Sequence, residues 1–166
     1  MMKILKISLN VCKYILIGIL AAVLLFNLIG IIKRVFFKEQ VPLIFGFGYA
    51  VVESGSMEPA IKKGDIIIVR KKNDYNVKDI VTYKSKGSKS TTHRIIEKNG
   101  GKYITQGDAN NAADEEIDKS LVIGKVVNVV SGAGKIISFF GSPFGALILL
   151  LGLFAAVELP ALLKKR

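Results

Sequence analysis

The sequence has one cysteine, one histidine and only 13 acidic residues against 24 basic ones in 166. A lone thiol, Cys12, cannot close an intrachain disulfide, and it stands far along the chain from His93. A cysteine nucleophile or a thiolate metal site is therefore disfavoured. With no second histidine to share a metal, no metal and no other cofactor is expected. Despite the net charge of +11, no basic patch or interleaved aromatic motif suggests nucleic acid as a partner. Internal repeats and low-complexity tracts are missing as well.

The chain is rich in apolar residues, and they are concentrated. Half of all residues are hydrophobic and the mean hydropathy is +0.43, high for a water-soluble domain. Residues 14–32 and 136–157 each run without a charge. At about 1.5 Å per residue these runs reach roughly 28–33 Å as helices, enough for a hydrocarbon core of about 30 Å. The first run exceeds the h-region of a cleavable signal and is followed by Lys33-Arg34 without a small-x-small cleavage site, so it reads as a retained anchor. The second opens on Ser142-Pro143, a plausible N-cap and N1 pair. Gly141 and Gly145 have GxxxG spacing, but the intervening proline favours a turn over helix pairing.

Lys3, Lys6 and Lys13 precede the first run, and Lys164-Lys165-Arg166 follow the second. The positive-inside rule then puts both termini in the cytoplasm. The expected organisation is a basic cytoplasmic N-terminus (1–13), a transmembrane anchor (14–32), an extracytoplasmic domain (33–135), a C-terminal transmembrane helix (136–160) and a basic cytoplasmic tail (161–166). The central stretch holds 18 basic and 12 acidic residues, a surface suited to anionic lipid headgroups.

The central stretch lacks a long helical period and reads as short strands: 48–53, 65–70, 79–84, 92–98, 102–106 and 121–130. Ile66-Ile67-Ile68-Val69 suits a strand buried on both faces. Asn99-Gly100-Gly101 marks a hairpin turn, and 86–90 is a polar loop. The expected fold is mainly β, a small, mostly antiparallel β-domain between two transmembrane helices.

Three pieces carry chemistry. Ser54-Gly55-Ser56-Met57-Glu58-Pro59 follows an apolar strand. A turn there exposes the Ser56 hydroxyl at the sheet edge, and Gly55 allows close substrate approach. Ser54 could add a hydroxyl donor for an oxyanion. Thr92-His93-Arg94 holds the only histidine, the side chain suited to base catalysis near neutrality. Gly107-Asp108-Ala109-Asn110, followed by Asp114-Glu115-Glu116, offers an acid to orient the imidazole, with Asp108 and Asp114 both candidates. Taken singly, these pieces equally fit an ordinary turn, a structural histidine and an Asx turn.

In this order, the three pieces resemble signal peptidase I (peptidase family S26), of the endoplasmic-reticulum, archaeal and spore-former type. Lys63-Gly64-Asp65-Ile66 and Val77-Lys78-Asp79-Ile80-Val81 match the pattern between them. The resemblance spans residues 51–130 and implies the fold of that family. It implies a Ser-His mechanism in which Ser56 is the acylating nucleophile and His93 stands where another bacterial branch has lysine. Ser54 and Met57 fall at oxyanion or substrate-binding positions. Both Asp108 and Asp114 match family acids, with Asp114 favoured as charge relay and Asp108 in support. Glu115 departs from the Asp-Asp of many relatives. The implied activity is membrane-bound removal of signal peptides from exported precursors, with lipids and export machinery as further partners. Two other readings remain open: a noncatalytic membrane-tethered β-module binding export partners, and a self-cleaving repressor-type peptidase.

Overall fold

The computed structural model describes residues 2–85 and 89–163. The 86–88 part of the expected polar loop and the basic tail Lys164–Arg166 lie outside the described residues, as do the side chains of Lys3 and Lys6. Two compact units emerge.

Residues 37–137 form a seven-stranded, wholly antiparallel sheet. Its strands are β1 (Phe47–Val51), β2 (Ile66–Arg70), β3 (Ile80–Ser85), β4 (Lys89–Asn99), β5 (Lys102–Gln106), β6 (Ile117–Asp118) and β7 (Val122–Val130). The order across the sheet is β1-β2-β7-β3-β4-β5-β6. Six of the seven were expected from the sequence; the two-residue β6 is too short to leave a pattern. β1 ends at Val51 rather than Glu53: the Val52 amide still donates to the Asp65 carbonyl, but the Val52 carbonyl accepts from Gly64, because the Asp65 amide turns back to the Lys62 carbonyl. The β-branched run of β2 buries Ile66, Ile67 and Val69. Between β4 and β5 the two turn residues, Gly100 and Gly101, have φ of 53° and 92°, the left-handed pair that a tight hairpin needs.

The core falls into two clusters. One gathers Tyr75, Val81, Tyr83, Ile95, Tyr103, Ile117 and Val122; the other gathers Val41, Met57, Ile61, Ile67 and Val69. The Lys63-Gly64-Asp65-Ile66 piece is a fastening. Buried Asp65 accepts from the amides of Lys62 (2.9 Å) and Gly132 (3.0 Å), so it ties the turn before β2 to the chain after β7.

The second unit contains α1 (Met2–Phe36) and α3 (Pro143–Leu163), which pack on each other. α1 exposes Ile15, Leu16, Ile19 and Leu25, and residues 10–36 are long and apolar enough to cross a membrane. The second apolar run is not one straight helix. α2 (Gly134–Phe140) and α3 meet at a 72° bend, so the run amounts to one broken span or a re-entrant piece. Ser142 caps α3: its Oγ accepts from the Gly145 amide (3.1 Å) and donates to the Phe139 carbonyl (2.7 Å). Gly145 lies where a Cβ would strike the Phe139 carbonyl, so this glycine serves the bend.

Candidate active site

Ser56 sits in the turn that follows β1, and its neighbours hold it there. Met57 is almost fully buried against Val41, Ile61, Ile67 and Val69, and its carbonyl accepts from the Ile61 amide (2.9 Å). Burying a side chain of this size stabilises the loop by about 1.5–3 kcal/mol. Met57, placed by sequence among the oxyanion or substrate-binding positions, thus turns its side chain into the core. Ser56 is left half-buried and Ser54 exposed, with their hydroxyl oxygens 3.3 Å apart.

His93 lies on β4 opposite Val81 of β3. Alternation along the strands puts Val81, Tyr83, His93, Ile95 and Thr105 on one face, because Ile95 pairs with Thr105. The imidazole is therefore buried at the margin of the first core cluster. Its two nitrogens have different partners. Nε2 is 3.2 Å from Ser56 Oγ, and Nδ1 is 2.6 Å from Asp114 Oδ2. With Nδ1–H donating to the carboxylate, Nε2 is free to accept the Ser56 proton.

The two candidate acids part company. Asp108 lies beside Arg94, which donates to it through Nε (2.9 Å) and Nη2 (2.6 Å), and Arg94 Nη1 also donates to the Lys78 carbonyl (3.1 Å). That pairing pushes the Arg94 guanidinium above its already high ordinary value, against an opposing effect of burial. Asp114 is next to the imidazole. Its amide donates to the Thr105 carbonyl (2.7 Å), while Oδ2 also accepts from the Thr105 hydroxyl (2.7 Å) and the Tyr83 hydroxyl (3.1 Å). Burial first, and Asp114 in addition, push the Tyr83 phenol up to about 12, so it remains a neutral donor.

Two residues about the site lack any signal in the local motifs: Tyr83 and Thr105. Tyr83 and Thr105 alternate with other strand formers, and only the pairing of β3, β4 and β5 brings them to one carboxylate. Gly107 was legible only as part of the Gly-Asp-Ala-Asn piece. A Cβ on it would lie 2.6 Å from the Ser56 carbonyl oxygen, which itself accepts from the Ala109 amide (2.9 Å). The turn at 107–110 can therefore close on the serine loop only with glycine there.

Lys98 donates to Asp74 (2.6 Å) and to the Tyr75 carbonyl (3.2 Å). Among the described residues no group of three or more acidic, histidine or cysteine side chains could hold a metal ion.

The family model for Peptidase S24-like proteins matches residues 46–127. The chain is 35% identical over 102 residues to the signal peptidase complex catalytic subunit SEC11 of Chaetomium globosum, an alignment covering 52% of this chain and 59% of that one. It is 37% identical over 93 residues to the SEC11 subunit of Metarhizium acridum, covering 46% and 54%. To signal peptidase I W of Bacillus subtilis it is 33% identical over 103 residues, covering 55% and 54%. The matches span between half and two thirds of the length of these curated relatives. By motif order and sequence likeness, the central part of the chain is similar to Peptidase S24-like proteins and to the catalytic subunits of signal peptidases.

Proposed function

We propose that this chain is a membrane-anchored serine endopeptidase that removes N-terminal signal peptides from exported precursors. The observation that carries the reading is the Ser56–His93–Asp114 array, with Nε2 of the imidazole toward the serine and Nδ1 toward the carboxylate. Nε2 takes the Ser56 proton as Oγ attacks the carbonyl carbon of the scissile bond, and Asp114 stabilises the imidazolium. The imidazolium then protonates the leaving amine. Water, deprotonated by His93, hydrolyses the acyl-enzyme and frees Ser56. Ser54, 3.3 Å from the nucleophile, is suited to donate to the oxyanion.

β1 is the terminal strand of the sheet order and runs into the serine loop. An extended substrate adding to its open edge would deliver its backbone to Ser56, and small residues before the cut would fit shallow pockets there. Residues 10–36 and the bent α2–α3 pair serve as two membrane anchors, with both termini cytoplasmic and the seven-stranded sheet outside. Confinement to one bilayer raises the effective concentration of a membrane-held precursor. Lipids and the export machinery are the accompanying partners. A noncatalytic binding module would have no need of a serine, histidine and carboxylate at these distances. Among the described residues His93, and not a lysine, is the basic group within hydrogen-bond reach of the Ser56 hydroxyl, which disfavours a self-cleaving repressor-type peptidase.

Purified full-length chain in lipid nanodiscs should process a signal-bearing precursor, and Ser56→Ala should process none while remaining folded. Undiminished cleavage by Ser56→Ala would overturn the reading.

A further inference from the structure

The acid of the array is itself held by a second ring of groups. Asp114 Oδ2 faces three donors: His93 Nδ1 at 2.6 Å, Thr105 Oγ1 at 2.7 Å and Tyr83 Oη at 3.1 Å. A carboxylate oxygen offers two lone pairs, so three donors compete for it. Both hydroxyls are buried, and they come from β3 and β5, the strands on either side of β4. Thr105 Oγ1 is also 3.2 Å from Tyr83 Oη, so its single proton is directed to Asp114 or to the phenol oxygen. At its other end Asp114 is pinned by its amide on the Thr105 carbonyl (2.7 Å). Arg94, the residue after His93, is engaged elsewhere, with Asp108 (2.6 Å) and the Lys78 carbonyl (3.1 Å).

We propose that Tyr83 and Thr105 are positioning residues that share Asp114 Oδ2 with His93, fixing the bearing of the carboxylate and moderating its grip on the imidazole. The proposal rests on the peptidase reading for its catalytic consequence but not for its physical content. Two hydroxyl donors spread the carboxylate charge, which weakens what any third donor receives. Remove one, and Oδ2 turns more of its electron density on Nδ1–H. That bond shortens, and the imidazole is held more tightly against Asp114. Remove both, and the carboxylate also loses its fixed direction, so the imidazole no longer presents Nε2 squarely to Ser56.

His93 is the only histidine, so histidine-selective 15N labelling of the full chain in nanodiscs yields a single imidazole. The readout is the low-field proton resonance of Nδ1–H, recorded together with kcat and KM for a precursor peptide. Tyr83→Phe and Thr105→Val should each move this resonance further downfield and lower kcat several-fold with KM unchanged. Thr105→Ser, which keeps the hydroxyl, should restore both. The proposal is overturned if the resonance stays at its wild-type position in folded Tyr83→Phe and Thr105→Val. It is equally overturned if Thr105→Ser behaves like Thr105→Val. The two readings separate cleanly: a shifted resonance in a chain that cleaves no precursor sinks the peptidase assignment alone, and active protein with an unmoved resonance sinks the positioning role alone.

Discussion

Gly107 contributes no functional group, yet the serine loop and the acid-bearing segment meet across it. Its hydrogen atoms face the Ser56 carbonyl oxygen at a distance that no Cβ tolerates. Gly107→Ala should push the loops apart, costing about 1–3 kcal/mol in stability and about tenfold to a hundredfold in kcat through misplacement of the hydroxyl. Thermal melts and precursor kinetics on the same sample check both figures. The acids provide a second prediction. Asp114→Asn should lower kcat by up to about 10⁴-fold, since the amide favours the wrong imidazole tautomer. Asp108→Asn weakens the Arg94 clamp, part-exposed at 32% and 17%, and should cost no more than about 1 kcal/mol while most activity survives. Near-normal activity in Asp114→Asn would refute this ordering. The serine and the histidine stood out as candidates only through the order of the three short pieces, since each piece alone fits an ordinary turn or a structural histidine. The choice between two acids six residues apart could not be made that way. It depends on a backbone bond from the Asp114 amide to Thr105, which turns one carboxylate inward, and on Arg94, which draws the other away.

At the scale of strands, the start of β3 is tied to β7 through Asp79, whose carboxylate accepts from Lys125 (2.5 Å) and the Asn76 amide (3.1 Å). Burial pushes this carboxyl up, but the two hydrogen bonds and the lysine charge outweigh it and hold the group below its ordinary value. A folded value below the unfolded one stabilises the fold above the ordinary carboxylate range, and that contribution is lost as pH falls through the folded value. Lys125→Met should therefore lower stability near pH 7 by about 1–3 kcal/mol, with the deficit shrinking below about pH 4. Urea titrations at the two pH values test the sign. Strand positions were legible because β-branched runs and turn residues alternate clearly here. Neither β6 nor the strand order was legible. β7 inserts between β2 and β3, which are adjacent in sequence, and that pairing is set by long-range packing.

At the scale of the whole chain, the apolar runs and the sheet make separable predictions. Residues 10–36 should keep the protein in the membrane pellet through carbonate extraction, whereas a peripheral protein would be released. Added protease should reach sites in residues 37–137 only from the outer side if the proposed orientation holds, and cleavage from the cytoplasmic side alone would reverse it. The apolar runs are plain in composition and the turn at Gly141–Gly145 was expected from its proline; its 72° angle was not, because it depends on how Ser142 and Gly145 fit against Phe139. The stretch from 107 to 114 has a further consequence for motion. Its Ala109 amide grips the Ser56 carbonyl and its Asp114 amide grips the Thr105 carbonyl, so one short strap spans the Ser56 loop and the strand beside His93. Loosening the strap at either clasp slackens the other, which makes the site open as a unit. The Ala109 and Asp114 amide protons should then exchange with solvent at matching rates, and both should slow together when Ser56 is acylated.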